Sequence, residues 1–223
     1  MVSTLLLGLL AVAPFALCVP RPQGEGSIPA PTVNNMTMFG TGCPIGAGGI
    51  SQVSHGGTPV FAFREWGLSL PNTDTGVGTA DAASKWCNEE IWLGNGPVGM
   101  RLRIAAVTVS GWAQLDSGTK ISLSVETKMG DVVGGKKTLT IGASDLKSGV
   151  FEVELDTEPT TIWSACVPSS GDVPHLTVKT TVGLVGTKSA DGSVSKGVLG
   201  GDNTDLTKAL KINFRPAWDP CTS

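Results

Sequence analysis

The 223-residue chain contains no tyrosine and only two histidines, His55 and His175. A Ser-His-Asp site would have to be built on one of these two. His55-Gly56-Gly57 has the form of an esterase oxyanion loop, but that loop needs a Gly-x-Ser-x-Gly nucleophile elbow, which is absent. His55 is therefore read as a hairpin turn residue, and His175, after Pro174, as a strand edge. No C-x-x-C pair occurs. The cysteine gaps after the first segment are 44, 79 and 55 positions, which excludes a zinc site. Basic clusters are missing too, and a net charge of −3 with a pI near 5.4 argues against nucleic acid as partner. Beyond residue 18 no apolar run approaches the roughly 20 residues of a membrane span. The end, Cys221-Thr222-Ser223, carries no hydrophobic tail for a lipid anchor. Residues 72–81 and 191–205 are acidic enough for calcium but lack the D-x-[DN]-x-[DN]-G loop. No cofactor or metal is expected.

What is present begins with an apolar stretch over residues 5–17, broken only by Gly8 and Pro14. Its length suits the core of a secretory signal, and Ala16-Leu17-Cys18 places small residues at −3 and −1 for cleavage before Val19. The basic residues that usually precede such a core are missing. Removing residues 1–18 takes one of five cysteines away and leaves Cys43, Cys87, Cys166 and Cys221. An even count in an exported chain predicts two disulfides and a soluble, extracellular product. Residues 19–38 are proline-rich and predict an extended leader, with residues 39–223 forming one domain. Asn35-Met36-Thr37 is an N-glycosylation acceptor, so Asn35 is a candidate glycan site.

Thirty glycines and fourteen prolines punctuate segments of strict alternation. Ile121, Leu123 and Val125 alternate with polar residues, as do Phe151, Val153 and Leu155, and Leu210, Ile212 and Phe214. Period two with one polar face is the pattern of antiparallel strands solvated on one side. Along residues 101–116 the apolar parity flips at Ala105-Ala106, which fits either a β-bulge there or a central strand apolar on both faces, the bulge being preferred. Residues 72–84 read as a long loop. Nine or ten strands are expected, in an all-β, antiparallel two-sheet sandwich of jelly-roll type; a closed barrel is the second choice. Four cysteines allow three pairings. If the last two long strands pair, Cys221 falls beside Cys166 and leaves Cys43 for Cys87, the preferred arrangement.

Five phrases occur in order: Phe39-Gly40-Thr41-Gly42-Cys43-Pro44, Lys85-Trp86-Cys87, Gly111 to Gly118 (GWAQLDSG), Ile162-Trp163-Ser164-Ala165-Cys166, and the final Cys221. Together they resemble the domain of unknown function 4360 family, secreted proteins of fungi and some bacteria. Trp86, Trp112 and Ala165 stand where the family pattern has Asn, Tyr and Pro. The resemblance implies a secreted β-rich domain and no established activity.

Candidate chemistry is sparse. Asp116 lies in the third phrase and is the one carboxylate considered for hydrolysis, although a turn role suits it better. Glu89, Glu90, Glu152 and Glu154 qualify only by residue type, since glycoside hydrolysis needs two carboxylates at a defined separation. Copper-dependent oxidation would need a mature N-terminal histidine, and Val19 is not one. Six tryptophans could stack on sugar rings, Trp112 among them, with core packing the expectation for each. Two functional readings follow: a non-enzymatic extracellular interaction protein, such as a fungal effector or elicitor, or a module binding cell-wall polysaccharide. A hydrolase using Asp116 is the third.

Overall fold

A computed structural model describes residues 31–44, 50–55, 58–63, 66–74, 76–156, 162–200 and 207–221. All regular structure among them is β-strand. In chain order the strands are β1 (Thr32–Phe39), β2 (Ile50–His55), β3 (Thr58–Phe63), β4 (Leu68–Leu70), β5 (Gly78–Thr79), β6 (Ala82–Gly94) and β7 (Met100–Leu115). They continue with β8 (Lys120–Met129), β9 (Val132–Gly142), β10 (Ser148–Asp156), β11 (Val173–Val185), β12 (Gly197–Leu199) and β13 (Leu210–Pro220). Thirteen strands exceed the nine or ten expected because β4, β5 and β12 are only two or three residues long. Segments that short carry no readable periodicity.

The strands form two antiparallel sheets. The first has the order β1-β6-β11-β8-β9, with β5 also paired to β6. The second runs β2-β3-β13-β7-β12-β4, and β10 pairs with the opposite side of β7. Between the sheets lie Ile121, Leu123, Val178, Val182 and Leu184 from the first and Leu102, Val107, Val109, Ile212 and Phe214 from the second, all buried. Each large aliphatic residue so buried contributes about 1.5–3 kcal/mol. The flip at the alanines is a bulge. Arg215 pairs with Ala106 and Pro216 with Ile104, so Ala105 is the extra residue, and the apolar residues on either side of it all point inward.

Three expectations need correction. Strand pairing begins at Thr32, so β1 takes in residues 32–38 of the expected leader; these seven residues contain no proline, and Met36 and Met38 pack against the core. The loop over residues 72–84 contains β5 and the start of β6, where Ala82, Ala83 and Ser84 pair with the apolar end of β11. The cysteines join as preferred, Cys43 to Cys87 and Cys166 to Cys221, with Cα–Cα distances of 5.5 and 6.1 Å. The reason for the second pairing differs, because β11 and β13 lie in different sheets. Both Cys166 and Cys221 are instead brought to the start of β7, where Val167 N–H donates to Met100 O (2.8 Å) and Cys221 N–H donates to Gly99 O (2.9 Å).

Candidate functional site

Most of the recurring phrases are clamps that hold irregular segments against strands. In the first, Gly42 N–H donates to Trp86 O (2.9 Å) and Thr41 Oγ1 accepts from Trp86 N–H (3.1 Å). Gly42 lies under the Trp66 ring, where an added Cβ would come within 2.8 Å of three ring carbons. In the fourth phrase the Ser164 hydroxyl, itself buried, accepts the Leu102 N–H (2.9 Å) and donates to Ala165 O (2.6 Å). That hydroxyl satisfies a strand N–H which lacks a backbone partner at this edge.

The third phrase differs, because one of its large side chains is left over from the core. On β7, Gly111, Ala113 and Leu115 are buried, so Trp112 and Gln114 point to the outer face of the second sheet. Trp112 is half-buried there. Gly200 N–H donates to its carbonyl (2.8 Å), and the order β7-β12-β4 carries the wall outward to Leu68 and Ser69. Gly200, with φ of 78°, sits where a Cβ would meet Trp66 O at 2.7 Å, so glycine is required at this approach. The result is an open cleft of about 380 Å³ walled by Trp112, Ser69, Val198 and Gly200, with Asp74 and Lys208 on its rim. Lys208 Nζ stands 5.4 Å from the Trp112 ring centre. An aromatic wall beside a hydroxyl, one carboxylate and one ammonium can take a small polyhydroxylated ring: apolar stacking on the indole, hydrogen bonds at the rim.

Trp66 lies in the core and Trp218 packs against it, as expected, whereas Trp86, Trp92 and Trp163 depart from core packing. Only Trp66 is fully buried. Trp163 lies under two guanidinium groups, Arg101 at 4.5 Å and Arg103 at 5.2 Å. Trp86 meets Phe39 edge to face at 5.8 Å, with Lys179 Nζ at 5.4 Å. Trp92 stacks on His175 at 5.8 Å and is 36% exposed. Trp86 and Trp92 share the outer face of the first sheet with Ser84, Thr181, Ser122 and Thr138, and these four residues line a shallow groove of about 430 Å³.

The remaining candidates occupy plainer settings. Asp116 is exposed in the turn between β7 and β8; its N–H donates to Lys196 O and its carbonyl accepts from Thr119 N–H, each at 3.0 Å. It is the backbone of Asp116 that closes the turn. Glu152 and Glu154 point to solvent, and Glu154 pairs with Arg215 at 3.1 Å. His55 pairs with Thr58 across the first hairpin; Gly56 and Gly57 lie outside the described residues, as do residues 1–30 and 201–206. Asp191 accepts from the Ser193 N–H and hydroxyl, and these bonds hold its carboxyl below the usual range. Asp81 is held down likewise, first by the Thr79 hydroxyl. Among the described residues no group of three His, Cys, Asp or Glu side chains is placed to hold a metal ion, and no helix is long and apolar enough to cross a membrane.

Glu89, a candidate only by residue type in the sequence, occupies a setting that its residue type did not indicate. It is wholly buried, and neither carboxylate oxygen has a hydrogen-bond partner. Burial alone pushes its pKa up to about 8. It shares the inward parity of Cys87 and Ile91 on β6, so the signal was a charged residue at a core position of an alternating strand.

A family model described as Domain of unknown function (DUF4360) matches residues 29–221. No curated protein matches. Among solved structures, the carbohydrate-binding module TmCBM61 in complex with beta-1,4-galactotriose is similar at 13% identity, over 84% of this chain and 90% of that one, with a TM-score of 0.25. The enzymatically active domain of tailspike protein 4 from bacteriophage CBA120 is similar at 11% identity over 82% of this chain and 20% of that one, with a TM-score of 0.26. A CBM4 structure is similar at 15% identity over 78% and 98%, with a TM-score of 0.20.

Proposed function

Because the chain belongs to the domain of unknown function 4360 family, whose description names no activity, we propose its function from the geometry of the site. We infer a non-enzymatic, exported protein that binds a neutral cell-wall polysaccharide through the Trp112 cleft. The observation that carries this is an aromatic side chain facing outward on the longest strand, beside a cleft with polar groups on its rim. A Trp at that position contributes little to the core, since its inward neighbours Gly111, Ala113 and Leu115 do the packing. Its apolar face matches the C–H surface of a pyranose, and Ser69, Asp74 and Lys208 match the ring hydroxyls. One carboxylate and one ammonium roughly cancel, which suits an uncharged chain over a polyanion. Export is part of the proposal, supported by the apolar segment over residues 5–17 and by two disulfides, which persist in oxidising compartments.

Pull-down on chitin, β-glucan and cellulose tests the reading. Wild-type protein is expected to be retained on at least one of them. The Trp112→Ala variant should lose about two- to tenfold in affinity, which corresponds to the ~0.5–1.5 kcal/mol of an aromatic stacking contact. Its melting temperature should stay within a few degrees of wild type. Absence of retention on all three matrices overturns the reading, and an extracellular protein partner, with the effector or elicitor role, replaces it. Glycoside cleavage lost in Asp116→Asn would replace it with a hydrolase.

A further inference from the structure

Among the described residues the first sheet ends in β1, and that strand carries the Asn35-Met36-Thr37 acceptor. Asn35 is exposed and pairs directly with Trp92 of β6. Both side chains point to the outer face, where directly opposed Cβ atoms lie about 4.5–5.5 Å apart. On its other flank Trp92 stacks on His175 at 5.8 Å with the rings 25° apart. The order across the sheet is therefore Asn35, Trp92, His175. The Asn35 Oδ1 accepts the Met36 N–H at 2.8 Å, while its Nδ2 has no partner among the described residues. Opposite it, Trp92 is 36% exposed.

We propose that Asn35 carries an N-linked glycan whose first N-acetylglucosamine packs on the Trp92–His175 stack. In the transfer, Asn35 Nδ2 forms a bond to C1 of an oligosaccharide held on a lipid pyrophosphate. The C1–O bond breaks, the amide nitrogen gives up one proton, and the lipid pyrophosphate leaves. The tethered sugar then meets Trp92 without the loss of translational freedom that a free ligand suffers. Its C–H face covers an otherwise exposed apolar ring, and its bulk blocks edge-to-edge pairing at β1, whose outer edge has no partner strand among the described residues. The inference rests on the export reading alone and is independent of the Trp112 cleft, which lies in the other sheet.

Full-length chain secreted from a eukaryotic host tests it. Peptide mass spectrometry should find Asn35 occupied, and Thr37→Ala or Asn35→Gln should abolish occupancy. Trimming to a single N-acetylglucosamine should leave the melting temperature unchanged, whereas complete removal should lower it by about 2–4 °C. In Trp92→Ala, glycosylated and deglycosylated protein should melt together. An unoccupied Asn35 in secreted protein overturns the proposal while leaving export and polysaccharide binding untouched. Equal destabilisation on glycan removal in wild type and Trp92→Ala overturns the packing on Trp92.

Discussion

Glu89 should make this fold fail in alkali. Its carboxyl sits on the inward face of β6, paired across the sheet with Met38 of β1 and Val178 of β11, and it has no hydrogen-bond partner. The pKa rises from 4.5 to about 8 because burial penalises the charged form. A folded-state pKa above the unfolded value means that the folded protein holds the proton more tightly. The stabilisation is fully present below pH 4.5, falls as pH rises towards 8, and is gone above it. At 1.36 kcal/mol per pH unit, the interval from 4.5 to about 8 amounts to about 5 kcal/mol. For a chain of this size that is a fall of roughly 10–20 °C in melting temperature. Water entering the core around the ionised group would bring the loss below this ceiling. The assay is thermal unfolding from pH 4 to pH 9.5 for wild type and Glu89→Gln, which mimics the neutral acid. Wild type should lose stability steeply between pH 5 and pH 8.5 relative to the variant, and the two curves should converge in acid. Curves that stay parallel across the range would refute the reasoning, because they would mean that Glu89 is solvated or paired.

Three further outcomes follow from the disulfides and the Ser164 clamp. Removing either disulfide by paired Cys→Ala replacement should destabilise by about 4 kcal/mol in the chain-entropy model, given separations of 44 and 55 residues. Mild reductant on native protein should open Cys166–Cys221 first, since Cys166 is exposed while Cys43 and Cys87 are buried; mass mapping of alkylated thiols reads the order, and simultaneous opening would count against it. Ser164→Ala should cost about 1–3 kcal/mol by leaving the Leu102 N–H unsatisfied. Denaturant unfolding measures this, and a change below 0.5 kcal/mol would show that water replaces the hydroxyl.

Alternation along a strand is a local property, so much of the fold was legible without any contact. Ile121, Leu123 and Val125 point inward as their parity indicates, and the parity flip at Ala105 marks a real bulge. The same parity sends Trp112 outward, because Gly111, Ala113 and Leu115 are the inward set. Trp163, by contrast, sits in a segment outside any strand, and its place under Arg101 and Arg103 depends on where that segment runs beside β7. Composition likewise marked the cysteines as staples, but a correct pairing came from an incorrect strand neighbour.

By itself the chain determined its class and its staples, since period two, cysteine parity and turn residues act over a few positions; core packing was the expectation for Trp112, and the structure turns it outward. Only the tertiary structure decided which strands are neighbours. It set β12 and β4 beside β7 to build the cleft, and it laid β1 against β6 to bring Asn35 to Trp92. It also closed the second sheet over Glu89. Those outcomes depend on pairing between residues tens of positions apart, where loop closure and shared burial choose the partner and local periodicity is silent.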